Sequence, residues 1–164
     1  MPNRILKESI CTSSTIESLS SKEEIFFYRL IVNCDDYGRF DARPTILRAK
    51  CFPLKIDEVT DDEISNWLKK LSQLHLIIVY EFEGSEYLQM KTWEKHQQVR
   101  SKRSKFPSLD DKGVKIISFD ENGNQMISDD IKGNHLKANV PVIQSNPIQS
   151  NPNPNPNPNP ILIQ

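Results

Sequence analysis

The sequence predicts an α+β fold in which three helices precede a β-hairpin, and three observations support this prediction. Residues 60–75 combine a helix-start signal with apolar residues at three- and four-residue spacing. Residues 76–93 place β-branched and aromatic side chains on both sides of a glycine turn, which is typical of a hairpin. Residues 146–160 are dominated by Asn and Pro, which bury too little apolar surface to offset the entropy of ordering. We therefore expect one folded domain followed by a disordered C-terminal tail.

The first predicted helix begins after Ser20. Ser20 and Glu23 have the spacing of a capping box, in which each side chain accepts a hydrogen bond from the backbone of the other residue. Apolar residues fill most of the circumference after this start, so we expect a deeply buried helix. They are Ile25, Phe26, Phe27, Tyr28, Leu30, Ile31 and Val32. Residues 33–38 (NCDDYG) then favour a turn, and the short run RFDA after it predicts a single edge strand.

Two further helices are predicted before the hairpin. Pro44 suits a first helical position and Pro53 closes the segment, which leaves a second helix of two to three turns. The third helix starts at another capping box, formed by Thr60 and Glu63. Its buried stripe is predicted to comprise Ile64, Trp67, Leu68, Leu71 and Leu74. The opposite face of this helix is polar.

The hairpin is predicted to turn at residues 83–85. Alternation along each strand places side chains two residues apart on the same face of the sheet. On this basis one face is shared by Leu76, Ile78, Tyr80 and Phe82, and one face is shared by Leu88 and Met90. We expect Trp93 to end the second strand.

Three helices followed by a hairpin, in this order, are typical of a winged helix-turn-helix. In that architecture the third helix faces the major groove of DNA, and the hairpin, or the segment directly after it, meets the backbone. We assign residues 1–94 to this winged-helix domain, which includes a short N-terminal arm, and residues 95–107 to a basic extension. Residues 108–164 are predicted to be a linker and a low-complexity Asn/Pro tail without stable structure.

Positive charge is concentrated in one segment. Residues 1–90 contain 11 Lys/Arg and 15 Asp/Glu, residues 91–105 contain 6 and 1, and residues 106–164 contain 4 and 6. Each cation that neutralises a DNA phosphate releases a condensed counterion, and so adds affinity that does not depend on base sequence. The run RSKRSK at residues 100–105 is therefore predicted to bind phosphates, with a solvated linker as the alternative.

The candidate DNA-binding residues lie on the third helix, around the second helix and in the basic segment. Amide and lysine side chains are the types that contact base edges or phosphates, although any exposed helix face also carries them. The candidates are Asn66, Lys69, Lys70 and Gln73 on the third helix, Arg39 and Arg43 around the second helix, and Lys91, Arg100, Lys102, Arg103 and Lys105 in the basic segment.

The sequence lacks the signals of an enzyme. It contains no nucleotide-binding glycine loop, no dinucleotide-binding glycine motif and no H-E-x-x-H zinc motif. The histidines His75, His96 and His135 are isolated from one another and from the cysteines, which argues against a metal site. We expect no catalytic residue, no metal and no cofactor.

Composition also predicts a compartment. Cys11, Cys34 and Cys51 are odd in number and far apart, which argues against a disulfide framework and for reduced thiols. No apolar run is long enough for a signal peptide or a membrane span. The expectation is a cytoplasmic protein that does not contact a membrane.

Three runs of the sequence are long enough to compare with a known family. They are MPNRILKESI (1–10), EEIFFYRLIVNCDDYGRFDARP (23–44) and YLQMKTWEKHQQVRSKRSKFP (87–107). These runs closely resemble the N-terminal domain of phage replisome-organiser proteins, which are related to the DnaD-like primosomal initiators of Gram-positive bacteria and their prophages. The resemblance covers about residues 1–107.

The resemblance implies a winged-helix domain that binds double-stranded origin DNA and self-associates. In that family a more C-terminal domain engages the helicase or its loader. No second helical domain is predicted after Pro107 in this chain. For that reason we do not carry helicase or helicase-loader binding over to it.

The tail suggests a hypothesis at the level of the gene. Tandem copies of AATCC, translated in triplets, give Asn-Pro-Ile-Gln-Ser, which matches residues 146–150. A six-base variant gives Asn-Pro repeats, and the same variant shifted by one base gives residues 161–164. We hypothesise that the tail is the translation of short direct DNA repeats, with a frame slip near its end. Such repeats would belong to a replication origin that lies inside the gene. A Pro-rich spacer selected for its reach is the alternative.

Together these observations predict a non-enzymatic DNA-binding protein that initiates phage or prophage replication. Two alternatives remain open. One is a winged-helix transcription regulator. The other is an oligomerisation or primosome-interaction module whose DNA affinity is incidental.

Overall fold

The computed structural model describes residues 3–128 and confirms the α+β class. In chain order the elements are α1 (Ser14–Glu17), α2 (Ser21–Asn33), β1 (Arg39–Asp41), α3 (Pro44–Cys51), α4 (Asp61–Gln73), β2 (Ile77–Phe82), β3 (Ser85–Met90), α5 (Trp93–His96), β4 (Lys115–Phe119) and β5 (Gln125–Ser128). A short 3₁₀ helix, Glu8–Thr12, precedes α1. The Asn/Pro tail and its repeats lie outside the described residues.

Both predicted capping boxes are present. Ser20 Oγ accepts a hydrogen bond from the Glu23 N–H at 3.5 Å, and a Glu23 carboxylate oxygen accepts one from the Ser20 N–H at 2.7 Å. Thr60 and Glu63 make the equivalent pair at 3.2 and 3.0 Å. These bonds satisfy backbone donors that a helix leaves free in its first turn, which is why α2 and α4 begin where the sequence predicts.

Helix α2 is less buried than its sequence suggests. Phe26, Phe27 and Leu30 are buried, but the exposed fractions of Ile25 and Val32 are 46% and 58%. Ile25 and Val32 are seven residues apart, so they lie on the same side of the helix. The prediction of a helix buried around most of its circumference is therefore wrong, because α2 packs against the core along one stripe only.

The five strands form one antiparallel sheet in the order β1-β3-β2-β4-β5. The predicted hairpin is confirmed, with β2 and β3 joined by a two-residue turn in which Glu83 and Gly84 both have positive φ. Two positive φ values in succession define a type I′ turn, whose twist matches that of the paired strands. The predicted edge strand after the 33–38 turn is also confirmed as β1, which pairs with β3.

The register of the hairpin decides which face of the sheet meets the helices. Val79 pairs with Leu88 and Ile77 pairs with Met90. All four side chains are buried in the cluster that also contains the apolar stripes of α2 and α4. Because successive residues alternate between faces, Ile78, Tyr80 and Phe82 lie on the opposite face. We call this opposite face the outer face of the sheet. Leu76 was predicted to share their face, but it precedes β2 and packs against the core cluster, so the prediction is wrong for Leu76.

The chain remains folded beyond residue 107. Strand β4 pairs with β2 and strand β5 pairs with β4. Val114 and Ile117 are 4% and 2% exposed, so the segment contributes to the buried interior. The prediction of an unstructured linker is therefore wrong for residues 108–128. The pairing of β4 with β2 joins residues far apart in sequence, which local patterns do not reveal.

Trp93 forms the centre of a joint between three remote segments. It begins α5 rather than ending β3, so the prediction for its position is wrong. Its indole N–H donates to the backbone carbonyl of Asp36 at 2.8 Å, and its ring lies 4.9 Å below the Arg4 guanidinium. Arg4 also pairs with the Asp36 carboxylate at 3.1 Å. Nearby, Gln97 exchanges two hydrogen bonds with the backbone of Ile5, at 3.1 and 2.8 Å. We call this arrangement the Trp93 joint.

Replacing Gly38 in the Trp93 joint tests how closely the joint is packed. Gly38 has a φ of +75°, and a Cβ at this position would lie 2.6 Å from Trp93 Cγ. We expect Gly38→Ala to lower the free energy of unfolding by about 2–4 kcal/mol, because it combines backbone strain with overpacking. Urea unfolding monitored by circular dichroism measures this loss.

Gly84→Ala is the matched control for that substitution. Gly84 has a φ of +74° but no neighbouring atom within 4 Å of an added Cβ. Gly84→Ala should therefore lower the free energy of unfolding only by the cost of backbone strain, about 1 kcal/mol. Equal losses for the two variants would contradict close packing at Trp93.

A second pair of substitutions tests whether β4 belongs to the core. Ile117 and Ile127 face each other across β4 and β5, but they are 2% and 55% exposed. We expect Ile117→Ala to cost about 2–5 kcal/mol in unfolding free energy, as buried Ile-to-Ala changes do. Ile127→Ala should cost less than about 1 kcal/mol. Similar small effects from both would show that β4 adds little to the stability of the domain.

Candidate nucleic-acid interface

Helix α4 presents its predicted polar face away from the core, but part of that face is covered. Asn66 is exposed and Lys70 is half-buried. The Gln73 side-chain amide donates to the backbone carbonyl of Asp120, in the turn between β4 and β5, at 2.5 Å. A Cβ built at Gly123, in the same turn, would contact the Lys69 side chain at 3.9 Å. Asn66 is thus the exposed residue of this face and Gln73 is bonded to the turn, while Lys69 and Lys70 are both half-buried.

The turn that covers α4 carries an ionised carboxylate. Asp120 accepts hydrogen bonds from the side chain and the backbone N–H of Asn124, at 2.9 and 2.8 Å. These bonds favour the charged form and lower the pKa of Asp120. A negative group beside this end of α4 opposes the approach of a phosphate.

The predicted residues around α3 are engaged within the protein. Arg43 makes a forked ion pair with Asp41, with an Nη2 to Oδ2 distance of 2.6 Å. Arg39 donates from Nε to the Gln89 side chain at 2.9 Å and from Nη2 to Ser108 Oγ at 3.1 Å. Arg43 therefore has a compensated charge. Arg39 lies on the outer face of the sheet.

The β2–β3 hairpin is acidic. Glu81 and Glu86 are directly paired across the two strands, and Glu83 is in the turn. Residues 77–90 contain no Lys or Arg. The carboxylates of the hairpin repel phosphate. The winged-helix prediction allowed the hairpin to contact the DNA backbone, but its acidic tip is a poor candidate for that contact.

The basic extension is held by the turn before β1. Asp36 accepts a hydrogen bond from the Ser101 N–H at 2.9 Å. Asp35 accepts one from the Ser104 hydroxyl at 2.6 Å and one from the Lys105 N–H at 3.0 Å. The backbone of the extension is therefore fixed, whereas four cationic side chains stay exposed and, within residues 3–128, form no ion pair. These are Arg100, Lys102, Arg103 and Lys105.

The end of the extension packs on the outer face of the sheet. The Phe106 ring lies 6.1 Å from that of Tyr87, on the outer face, and 5.5 Å from that of Phe40, which pairs with Leu88 at the β1 edge of the sheet. The Tyr80 hydroxyl donates to the backbone carbonyl of Pro107 at 2.7 Å. Because α4 packs on the other face, the sheet lies between α4 and the end of the extension. The structure does not bring these two groups of candidate residues together.

A cleft of about 270 Å³ opens beside the basic extension, at the end of β3. Its lining includes Tyr37, Arg39, Gln89, Lys91 and Lys95. Two predicted residues, Arg39 and Lys91, therefore meet here. The cleft also contains Tyr37, Gln89 and Lys95, which were not predicted as site residues. They come from three separate segments, the 33–38 turn, β3 and α5, so no local pattern groups them. The excess of Lys/Arg over residues 91–105 is the signal that pointed to Lys95.

The described residues show no metal site. No group of three or more His, Cys, Asp and Glu side chains within residues 3–128 is placed to hold a metal ion. Cys34 and Cys51 are buried, and burial raises the pKa of the Cys51 thiol to about 12, whereas Cys11 is exposed. No helix in the described part of the chain is both long and apolar enough to span a bilayer.

Comparisons with protein-family models, with curated proteins and with solved structures found no match to this chain. The resemblance to replisome organisers stays a prediction from three runs of sequence. The arrangement of the strands and helices and the chemistry of the surface therefore have to support any functional proposal.

The Asp36 carboxyl makes the Trp93 joint sensitive to acid. Burial raises the pKa of Asp36, but hydrogen bonds from Arg4 and from the backbone N–H groups of Ser101 and Arg100 outweigh burial and lower it. A carboxyl with a lowered pKa stabilises the fold above its unfolded pKa, near 3.8, and loses that contribution as the pH falls through the folded value.

We expect the stability difference between the wild type and Asp36→Asn to be largest near pH 7 and to shrink as the pH falls below about 4. Urea unfolding at a series of pH values measures this difference. The matched control is Glu94→Gln, which removes an exposed carboxylate nearby that forms no ion pair within residues 3–128, and it should cost less stability at pH 7 than Asp36→Asn. A difference that grows on acidification would contradict the assignment.

Proposed function

We propose that this chain is a non-enzymatic DNA-binding protein that initiates replication of phage or prophage DNA. The observation that carries the DNA-binding part is the basic extension, whose backbone is fixed by Asp35 and Asp36 while its four cations remain exposed. A fixed backbone lowers the entropy that these side chains lose when they bind phosphate. Four phosphate contacts give a slope of about −3 to −4 in a plot of log K against log salt.

The topology supports a winged helix-turn-helix as the finer description of the fold. Helices α2, α3 and α4 precede the β2–β3 hairpin, and β1 pairs with β3 as the third strand. In this arrangement α4 occupies the position of the helix that enters the major groove, with Asn66 and Lys70 outward. An asparagine recognises adenine through two hydrogen bonds, so Asn66 is the residue best suited to reading a base.

The replication part of the proposal rests on sequence. The three runs that resemble phage replisome organisers lie between residues 1 and 107, on either side of α4. The tail that reads as translated DNA repeats lies outside the described residues. An initiator that binds repeats in its own gene unites these two observations.

The proposal is tested by binding assays with the full chain and two duplexes of equal length. One is the part of its own gene that encodes residues 143–164, and the other is unrelated. We expect tighter binding to the first duplex at every salt concentration, and a loss of that preference in the Asn66→Ala/Lys70→Ala variant, because base discrimination depends on α4.

The control variant Asn3→Ala/Lys112→Ala removes one exposed amide and one exposed cation elsewhere, and should retain the preference. Equal binding to both duplexes would reject the proposed origin, and no binding to either would reject a DNA-binding function. A third duplex of the same length, taken from upstream of the gene, separates the transcription regulator, since a preference for that duplex would favour it instead.

A further inference from the structure

The cleft beside Tyr37 has the chemistry of a site for part of a nucleic acid strand. At about 270 Å³ it is slightly smaller than the roughly 300–1,000 Å³ clefts that enclose a whole small ligand. It suits a single group on a longer polymer better than a free metabolite. The cleft adjoins the basic extension, because the Tyr37 hydroxyl donates to the backbone carbonyl of Ser101 at 3.1 Å.

Tyr37 and Arg39 supply flat surfaces in this cleft. The Arg39 guanidinium lies 5.4 Å from the centre of the Tyr37 ring. The Tyr37 side chain is fixed by its bond to Ser101, and Arg39 is fixed by Gln89 and Ser108. Aromatic rings and guanidinium planes are the groups on which unpaired bases stack in proteins that bind single strands.

The charges around the cleft favour a polyanion. Lys91 and Lys95 line it with exposed side chains, and the free cations of the extension continue from it. Glu94 is the carboxylate in the lining, while Asp35 and Asp36 accept hydrogen bonds from the turn and the extension. The result is a positive track with an aromatic group at one end, which is the combination that single-strand binders use.

The position of the cleft separates it from the proposed duplex-binding helix. Arg39 and Gln89 are paired across β1 and β3, and alternate with residues such as Leu88 that face the helices. The cleft therefore lies at the end of β3, where outer-face residues meet Met90 and Trp93 of the core, while α4 packs on the inner face of the sheet. In a duplex the bases are stacked and paired, so they present edges in the grooves rather than faces that Tyr37 could contact.

We propose that the Tyr37 cleft and the cations of the basic extension bind single-stranded DNA, at a site distinct from the α4 surface. The inference deepens the proposed function and rests on it only in assuming that the ligand is DNA. A protein that opens an origin produces a single strand beside the duplex that it recognises. Two separate sites can hold both forms of DNA at once.

The test is fluorescence anisotropy with the full chain, a labelled oligothymidylate and a labelled duplex. We expect Lys91→Ala/Lys95→Ala to weaken oligothymidylate binding and to lower its salt slope by about 1.4, the value for two single-strand phosphate contacts. Tyr37→Leu should weaken it by about tenfold or more through the loss of stacking, while Tyr37→Phe keeps the ring and should stay within about twofold of wild type. Duplex binding should fall by a smaller factor than oligothymidylate binding in each variant, because the α4 surface proposed to contact only the duplex is unchanged.

The α4 variant Asn66→Ala/Lys70→Ala gives the reciprocal control, because it should weaken duplex binding and spare oligothymidylate. Oligothymidylate binding that is unchanged in Lys91→Ala/Lys95→Ala, or reduced equally for both forms of DNA, would overturn the inference. Loss of single-strand binding in both Tyr37→Leu and Tyr37→Phe would also overturn it, since stacking requires only the ring. If the wild type binds oligothymidylate but no duplex, the proposed function fails while the single-strand site stands.

Discussion

The contact of Trp93 with Asp36 and Gly38 is the constraint on which the arrangement of this surface depends. It closes the turn before β1 against the end of the hairpin, and Arg4 brings the N-terminal arm onto the same ring. Each of the three sequence runs that resemble replisome organisers contributes to this joint. Those runs therefore have a structural role, because they fix where the chain leaves the hairpin. That exit in turn sets the path of the basic extension.

The sheet acts as a partition between two surfaces of different chemistry. On its inner side α4 offers a short polar face with few free charges, which suits selective contact more than strong attraction. On its outer side the extension offers free cations over a cleft with an aromatic wall, which suits affinity without base selectivity. The β2–β3 hairpin is acidic and contains no Lys or Arg, so it adds to neither surface's attraction for phosphate. This difference in chemistry is the basis of our proposal that the two surfaces bind different forms of DNA.

Local signals in the sequence predicted the elements whose stability is local. The capping boxes gave the starts of α2 and α4, the apolar spacing gave the buried stripe of α4, and the glycine turn gave the hairpin. Strands β4 and β5 and the path of the extension were not predictable in this way. Strand β4 depends on pairing with β2 and strand β5 on pairing with β4, and the extension depends on hydrogen bonds that Asp35 and Asp36 accept from residues more than 60 positions away. The exposed side of α2 was missed because apolar content alone does not say how many partners a helix has.

The bond between Gln73 and the backbone of Asp120 has a consequence for selectivity. The Gln73 amide already donates to a protein carbonyl, so it must break that bond before it can bind a base. One hydrogen bond then replaces another, and the exchange adds little to the free energy of binding even when the geometry is good. Asn66 has no such partner within the described residues and exchanges only water. Under our proposal that α4 contacts bases, Asn66 and not Gln73 would supply the discrimination. Sequence preference would then be encoded in about one turn of helix, and a short binding site repeated many times suits such a reader better than a long unique one.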